Sequence, residues 1–572
     1  MDTAPRHPKS WMSDDATNAE VAAPLDLLLS DAATGPLRRF LPGSATVRFG
    51  LGLVRRPRPV TAKLAELAAE LARISLRRSD LEPDPKDKRF LEPAWKHQPG
   101  LQAVLQAYLA VGRTVSDLRK EVDLGWSDAT KVDFALDNIL DAMAPSNNPF
   151  LNPLTYKAVI DTGGRSVLRG VRNLLSDAAS PPRVPSMVAP NAFAVGESLA
   201  LTEGAVVLRT PVFELIQYGP RTEEVSEVPL VLVPPTINKY YVLDLAPGRS
   251  FVEHLVNNGQ QVFMMSWRNP DRRHHAWDLS TYGQAMLDAM GAARSITGSS
   301  SASLLGLCSG GIITSMVMAH LVDTGRADEV ASFAMGVSLL DQRKAGLPTA
   351  ALDDRAAAEA VNASARAGFL DGRALAEVFA WLRPNDLIWG YWVNNYLQGK
   401  APKAFDVLFW NSDTTRMTAG LHRDFIDLAL NNTLIEPGAS SMLGSPVDLS
   451  SVKTDSYILA GIADHICPWQ NCYQSTQMLG GDTRFVLSTA GHVASIVNPP
   501  DNPKARFRVA PSTPESAEAW MDAAEEQKGS WWVDYQAWLA ERSGGRRSAP
   551  ESLGNGRFPV AAAAPGTYVF DT

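Results

Sequence analysis

The amino-acid sequence predicts an α/β protein in which a mostly parallel β-sheet is covered by helices and preceded by a helical N-terminal region. Two observations lead to this fold class. After about residue 190, short β-rich apolar runs alternate with longer helical stretches, a pattern typical of parallel sheets. Between residues 25 and 175, apolar residues recur at helical spacing, as in LQAVLQAYLAV at 101–111.

The 572 residues are too many for one ordinary core, so we expect more than one domain or a large insertion. The polar start with its early prolines predicts a disordered tail over residues 1–24. The helical pattern predicts an N-terminal domain over 25–190, which ends near a proline-rich linker, SPPRVPS, at 180–186. Residues 191–572 then form the predicted catalytic domain.

Seven runs in the catalytic domain have the composition of strands. They are Val212 to Tyr218, Leu230 to Val233, Gln261 to Trp267, Ala302 to Gly306, Ala331 to Val337, Ser456 to Ala460 and Arg484 to Ser488. More than a hundred residues without a clear strand separate the fifth run from the sixth, and we predict an inserted cap over about 338–445.

The predicted cap is rich in aromatic residues, which either line a route for substrate or form only the core of the cap itself. These residues are Trp381, Trp389, Tyr391, Trp392, Tyr396, Phe409 and Trp410.

Charge and composition exclude several classes of function. The net charge of −8 leaves no basic stripe for nucleic acid. We find neither an apolar run long enough to span a membrane nor a signal peptide. The three cysteines lack metal-ligand spacing and suggest a reducing compartment, so we expect a cytoplasmic protein without a bound metal.

The strongest local signal is the sequence GLCSG at 306–310, where an apolar run leads through G-x-C-x-G into a helical pattern. This is the strand–turn–helix context of a nucleophile elbow. Glycines fit because the chain doubles back there, and the helix N-terminus favours a thiolate at Cys308. The alternative is a buried structural cysteine beside a glycine-rich turn.

Candidate partners follow in the chain order expected for this fold. Asp464 ends one apolar run, and His492 lies in the loop after the next. His465, next to Asp464, either supports this triad through hydrogen bonding or contributes directly. The C-x4-C spacing of Cys467 and Cys472 argues against a redox pair, for which C-x-x-C is typical.

Several long motifs resemble those of the polyhydroxyalkanoate synthase family, over about residue 40 to the C-terminus. In the catalytic region they are PPTINKYYVLD (234–244), SWRNPD (266–271), WNSD (410–413), DHICPW (464–469) and STAGH (488–492). Upstream they are RFLEPAW (89–95) and APSNNPFLNP (144–153). GLCSGG at 306–311 and RPNDLIWGYWVNNY at 383–396 are most similar to the medium-chain, class II branch. Cys467 departs from the family, in which an aliphatic or small residue is more usual.

The resemblance implies an α/β-hydrolase fold with Cys308, Asp464 and His492 as the catalytic residues. It implies an oxyanion hole at Ser309 and Ile237. Three further residues are expected near the site, as support or as substrate contacts: His465, Trp410 and Asp244. Asp464 either orients His492 or activates the substrate hydroxyl.

The activity implied is polymerisation of (R)-3-hydroxyacyl-coenzyme A (CoA) into polyester, with release of CoA and no further cofactor. The implied partners are the substrate, the growing chain, the polymer granule with its associated proteins, and a second copy of the chain in a homodimer. One alternative is a cysteine-dependent thioesterase or esterase, and another is a noncatalytic granule-coating protein with a relic hydrolase domain. The fate of the acyl group distinguishes a polymerase from a thioesterase or esterase. Thiol labelling distinguishes a polymerase from a noncatalytic granule-coating protein.

Overall fold

The computed structural model describes residues 44–179, 181–343 and 354–572. The predicted disordered tail, 1–24, lies outside the described residues. The chain divides into two compact units. The helical unit contains the described residues up to Ala189 together with Ala376–Lys403, and the catalytic unit contains Pro190–Leu375 and Ala404–Thr572.

The helical unit is built from amphipathic helices. They are α1 (Ser44–Val54), α2 (Pro57–Ser75), α3 (Ala94–His97), α4 (Pro99–Lys120), α5 (Trp126–Ala142), α6 (Pro153–Asp161) and α7 (Arg165–Ala178). Proline occupies the first helical position of α2, α4 and α6, where its missing N–H costs no hydrogen bond. The Asn152 side chain caps α6 by accepting from Leu154 N at 2.8 Å.

Part of the predicted cap folds with these helices. Residues 376–403 include two π-helical turns, Asn385–Trp389 and Trp392–Leu397. The Trp392 ring N–H donates to Asn147 O at 3.0 Å, and a Cβ on Gly170 would lie 1.9 Å from Tyr396 O. The expected cap at 338–445 is therefore divided between the two units, because these rings pack against the N-terminal helices.

The catalytic unit is an α/β structure. Its strands are β1 (Gly204–Arg209), β2 (Phe213–Tyr218), β3 (Glu224–Ser226), β4 (Leu230–Val233), β5 (Val262–Trp267), β6 (Ala302–Leu307), β7 (Val330–Gly336), β8 (Phe369–Leu370), β9 (Met417–Thr418), β10 (Ser441–Met442), β11 (Ser445–Pro446), β12 (Ser456–Gly461), β13 (Thr483–Ser488), β14 (Arg506–Val509), β15 (Glu525–Lys528), β16 (Arg546–Ser548) and β17 (Ala562–Ala563).

Helices connect most of the central strands. They are α8 (Phe251–Asn257), α9 (Leu279–Thr297), α10 (Ser309–Asp323), α11 (Asp354–Ala367), α12 (Gly372–Leu382, which crosses the boundary between the units), α13 (Asp406–Ser412), α14 (Ala419–Asn431), α15 (Trp469–Met478), α16 (His492–Ile496), α17 (Ala517–Ala523) and α18 (Trp531–Ala540).

Within the described residues, the main sheet has the order β15-β14-β13-β12-β7-β6-β4-β5-β2-β1-β17. Neighbours from β13 to β5 pair in parallel, and the strands outside them pair antiparallel. All seven predicted runs are strands, and the predicted fold class is confirmed. Every residue of β4, β6 and β12 is buried because helices cover both faces of the parallel region.

The carboxyl ends of the parallel strands meet at one edge of the sheet, where sites form in folds of this kind. Three strand ends carry predicted catalytic residues, since Cys308 follows β6, Asp464 follows β12 and His492 follows β13. Among the described residues, no helix combines the length and apolar character needed to span a membrane.

Candidate active site

Cys308 lies in a strained turn between β6 and α10. Its φ of 51° and ψ of −120° are rare for a residue with a side chain. Two hydrogen bonds hold the turn, from Cys308 N to Gly336 O at 2.9 Å and from Ser338 Oγ to Cys308 O at 2.9 Å. Strain of this type persists because the surrounding structure over-determines it, as expected at a nucleophile elbow.

Glycines around the turn allow its close packing. A Cβ on Gly306 would lie 2.6 Å from Gly310 O, where strand and helix double back on each other. A Cβ on Gly310 would lie 2.4 Å from Val233 O, at the carboxyl end of β4. Since these contacts are to backbone atoms, larger residues at either position would displace the turn or the β4 loop.

Asp464 and His492 form a hydrogen-bonded pair, with 2.7 Å between Asp464 Oδ2 and His492 Nδ1. The second carboxylate oxygen, Oδ1, accepts the backbone N–H groups of Ile466 at 2.8 Å and Cys467 at 2.9 Å. Both oxygens of the buried carboxylate are therefore engaged, and the carboxylate holds the imidazole in a defined orientation.

The side chains of Cys308 and His492 are hydrogen-bonded to each other. Burial opposes a charged imidazole, but the Asp464 carboxylate and the Cys308 sulfur outweigh it and raise the pKa of His492. The structure thus brings the three predicted catalytic residues together, with His492 between Cys308 and Asp464.

Cys467 is a neighbour of Cys308 that the sequence reasoning missed. Its thiol donates a hydrogen bond to the Cys308 sulfur. This bond lowers the pKa of Cys308, as do the contacts with His492 and the Ser309 N–H, and together they outweigh burial, which raises it. Burial, together with Cys308 and Asp464, raises the pKa of Cys467 well above its usual value. The sequence feature that could have revealed this contact is the position of Cys467, three residues after the predicted catalytic residue Asp464.

The predicted oxyanion residues lie on the two segments that adjoin Cys308. The Ser309 N–H is hydrogen-bonded to the Cys308 sulfur. Ile237 is in the loop after β4, and this loop contacts the elbow through Thr236 N, which donates to Ser309 Oγ at 3.0 Å. Thr415 N also donates to Ile237 O at 3.0 Å.

Three other predicted residues, Trp410, Asp244 and His465, have partners or positions outside the triad. The buried Trp410 ring N–H donates to Lys239 O at 2.6 Å, which supports the Ile237 loop. The buried Asp244 carboxylate accepts from the hydroxyls of Thr202 at 2.6 Å and Ser250 at 2.7 Å, and burial raises its pKa. His465 is partly buried beside Asp464, and its role stays a prediction.

Fold and site define the class of protein. A parallel sheet, a nucleophile elbow and an acid–histidine pair on successive strand ends are the features of an α/β hydrolase with a cysteine at the nucleophile position. A family model described as "alpha/beta hydrolase fold" matches residues 229–499. A second, described as "Poly-beta-hydroxybutyrate polymerase (PhaC) N-terminus", matches residues 86–255.

The chain belongs to the poly(3-hydroxyalkanoate) polymerase family. It is 43% identical over 518 residues to poly(3-hydroxyalkanoate) polymerase 1 of Ectopseudomonas oleovorans, and the match covers 91% of this chain and 92% of that protein. It is 39% identical over 491 residues to the poly(3-hydroxyalkanoate) polymerase subunit PhaC of Cupriavidus necator, with 84% and 83% covered. The family resemblance predicted from the motifs is confirmed.

Proposed function

We propose that this protein is an acyltransferase that polymerises (R)-3-hydroxyacyl-CoA thioesters into polyhydroxyalkanoate and releases CoA through an acyl-Cys308 intermediate. The observation that carries the proposal is the hydrogen-bonded Cys308, His492 and Asp464 on a chain that belongs to a polymerase family. Similarity of 383–396 to the class II branch favours medium-chain substrates.

In the first half-reaction, the Cys308 thiolate attacks the thioester carbonyl of the substrate. The negative charge on the tetrahedral oxygen is stabilised by the Ser309 N–H and an N–H of the Ile237 loop. His492 protonates the departing CoA sulfur. Because the acyl group passes from one thiol to another, this step is nearly balanced in energy and the acyl group stays activated.

In the second half-reaction, the hydroxyl of a monomer or of the growing chain attacks the acyl-Cys308 carbonyl. Neutral His492, having given its proton to CoA, accepts the proton of that hydroxyl. Both Asp464 oxygens already accept hydrogen bonds, from His492 and from two backbone N–H groups. Of the two roles considered for Asp464, this arrangement favours the orientation of His492 over direct removal of the hydroxyl proton.

The decisive experiment incubates the purified protein with (R)-3-hydroxyacyl-CoA substrates of graded acyl length and follows free CoA and polymer together. We expect polymer to account for most of the CoA released, with the highest rate at medium chain length. If free hydroxy acid is the main product, the protein is a cysteine-dependent thioesterase and the proposal is wrong.

We also propose that the protein is cytoplasmic, forms a homodimer and contacts its polymer granule and granule-associated proteins through the helical unit. Large apolar side chains on this unit support the granule contact, since Phe150, Ile160 and Leu168 are each 75% exposed or more. Serine at these three positions should lower the fraction of protein that sediments with granules. Serine at the exposed Val533 and Val560 of the catalytic unit is the matched control. An equal loss in both variants would contradict this assignment.

A further inference from the structure

A segment remote in the sequence packs against the Ile237 loop, which comprises residues 234–239 after β4. This segment, residues 567–572, follows β17 at one edge of the main sheet. One side chain of the loop reaches it, since Lys239 Nζ donates to Tyr568 O at 3.3 Å and to Asp571 O at 2.6 Å. The loop expected to supply an oxyanion N–H is therefore tied to the 567–572 segment.

The lysine at the centre of this contact is only 3% exposed. Burial lowers the pKa of Lys239, although the nearby Asp413 and Asp571 carboxylates oppose that shift. Taking an ammonium group out of water is costly unless its donors find acceptors, and here the acceptors are two main-chain carbonyls of the segment. An apolar side chain would fill the same space without this cost, so packing alone does not explain a lysine here.

The 567–572 segment is itself fixed to the sheet. The buried Glu214 carboxylate in β2 accepts Thr567 N at 2.8 Å and Tyr568 N at 3.0 Å. The Tyr568 hydroxyl donates to Thr210 O at 2.6 Å, and the Arg268 guanidinium lies 4.2 Å from the centre of the Tyr568 ring. The segment is therefore a firm support for whatever it holds.

A second connection reaches the loop through the residues that precede β9. Thr415 N donates to Ile237 O at 3.0 Å, and the next residue, Arg416, donates from its guanidinium to Thr572 O at 3.2 Å. The Asn269 side chain accepts the Arg416 N–H at 2.9 Å. The segment thus contacts the loop directly through Lys239 and indirectly through Arg416.

The two predicted oxyanion donors differ in how they are held. The Ser309 N–H belongs to the first residue of α10, so the helix fixes its direction. The N–H of the Ile237 loop has no such element and depends on the contacts of the loop. An oxyanion donor must lie about 2.7–3.1 Å from the developing charge, and a displacement of about 1 Å costs roughly 10²-fold in rate.

We propose that Lys239 is a positioning residue, through which the 567–572 segment holds the Ile237 loop so that a loop N–H meets the oxyanion of the tetrahedral intermediate. In this role the ammonium group neither touches the substrate nor transfers a proton. It acts through the main chain of its own loop. The inference rests on the proposed acyl transfer at Cys308.

The test compares two reactions of the same sulfur. Acylation of Cys308 by a thioester passes through an oxyanion, whereas alkylation by iodoacetamide displaces iodide at a saturated carbon and needs no oxyanion hole. Lys239→Met keeps a long side chain and removes the ammonium group. We expect the single-turnover rate of CoA release to fall roughly 10- to 100-fold, while the alkylation rate stays within about twofold of the wild type.

Two further variants make the test specific. Tyr568→Phe keeps the carbonyl that faces Lys239 but loses the hydroxyl bond to Thr210, and we expect the same selective loss, smaller in size. Tyr457→Phe is the matched control, because its buried hydroxyl donates to Asp534 at 3.0 Å near the amino end of β12, at the opposite edge of the sheet from Cys308. Both reactions should be unchanged in this control, and circular dichroism reports whether each variant is folded.

Hydrogen exchange of the loop amides, measured without substrate, gives a readout independent of activity. Exchange at residues 236–239 should be faster in Lys239→Met and unchanged in Tyr457→Phe. Equal losses of acylation and alkylation in Lys239→Met, or wild-type rates of acylation, would overturn the positioning role. If Lys239→Met does not fold, wild-type acylation in Tyr568→Phe would overturn it. Absence of CoA release from the wild type would instead contradict the proposed function, and loop exchange would still test the contact.

Discussion

The loops after β6 and β12 each place a buried cysteine at the same edge of the sheet, yet the two thiols have opposite properties. Cys308 has a positive φ and directly precedes α10, and the Cys467 thiol and the Ser309 N–H stabilise its thiolate and lower its pKa. Cys467 lies in a turn beside the Asp464 carboxylate, and its pKa is raised. The comparison teaches that backbone geometry and neighbouring groups, not burial, give two buried thiols opposite shifts in pKa.

The largest expected effect is at Cys308. Cys308→Ala should abolish CoA release, because no other cysteine occupies the elbow turn in the described structure. Cys467→Ala should retain measurable release, since it removes a donor and not the nucleophile. Release of CoA from 3-hydroxyacyl-CoA is the measurement, and turnover in Cys308→Ala would show that the nucleophile is assigned wrongly.

His492→Gln should lower the rate of CoA release by roughly 10²- to 10⁴-fold, the usual contribution of a general base. Glutamine keeps a polar side chain but cannot accept and return the proton. Single-turnover kinetics measure the step directly, with His465→Gln as the control from the same loop cluster. A mild loss at His492 together with a severe loss at His465 would exchange their roles.

Asp464→Asn should cause a smaller loss than His492→Gln, as expected when the acid acts through the histidine. The first acylation should slow, because the amide no longer fixes the charge and orientation of His492. Radiolabelled substrate in a single turnover reports acylation of Cys308. Normal acylation followed by stalled chain growth would instead assign Asp464 to activation of the hydroxyl.

The pH dependence of alkylation sharpens the contrast between the two thiols. An unperturbed thiol with a pKa of about 8.5 loses about tenfold in thiolate for each pH unit below that value. Because the pKa of Cys308 is lowered, its reaction with iodoacetamide should stay nearly constant through neutral pH and fall only on acidification. Cys467→Ala should move this fall to higher pH. An unshifted profile would mean that Cys467 does not stabilise the thiolate.

The smallest effect is expected at Trp410, which supports the Ile237 loop from outside the triad. Trp410→Phe removes the hydrogen bond to Lys239 O and should cost about 1 kcal/mol of stability. We expect a reduction in kcat of a few fold with little change in KM, because a looser loop weakens transition-state contacts. Unchanged kcat with the expected loss of stability would restrict Trp410 to a structural role.

Local patterns in the sequence predicted most of the catalytic unit. Each apolar run between helical stretches can be buried only as a strand of a covered sheet, so all seven runs appeared where expected. The elbow could be predicted equally well, because its glycines, its cysteine and the following helix are consecutive in the sequence. The order of Asp464 and His492 along the chain followed from the parallel strands that carry them.

Two features required the tertiary structure. The segment 376–403 has the residue spacing of a helical cap, but it packs with the helices that precede residue 189. Its packing partner could not be predicted locally, because the surfaces involved are remote in the sequence. Cys467 adjoins Cys308 because β12 and β6 both flank β7 in the sheet. The sequence by itself determined the strands, the elbow and the family, since these depend on neighbouring residues. Only the folded chain decided which distant side chains surround Cys308, because strand order brings them together.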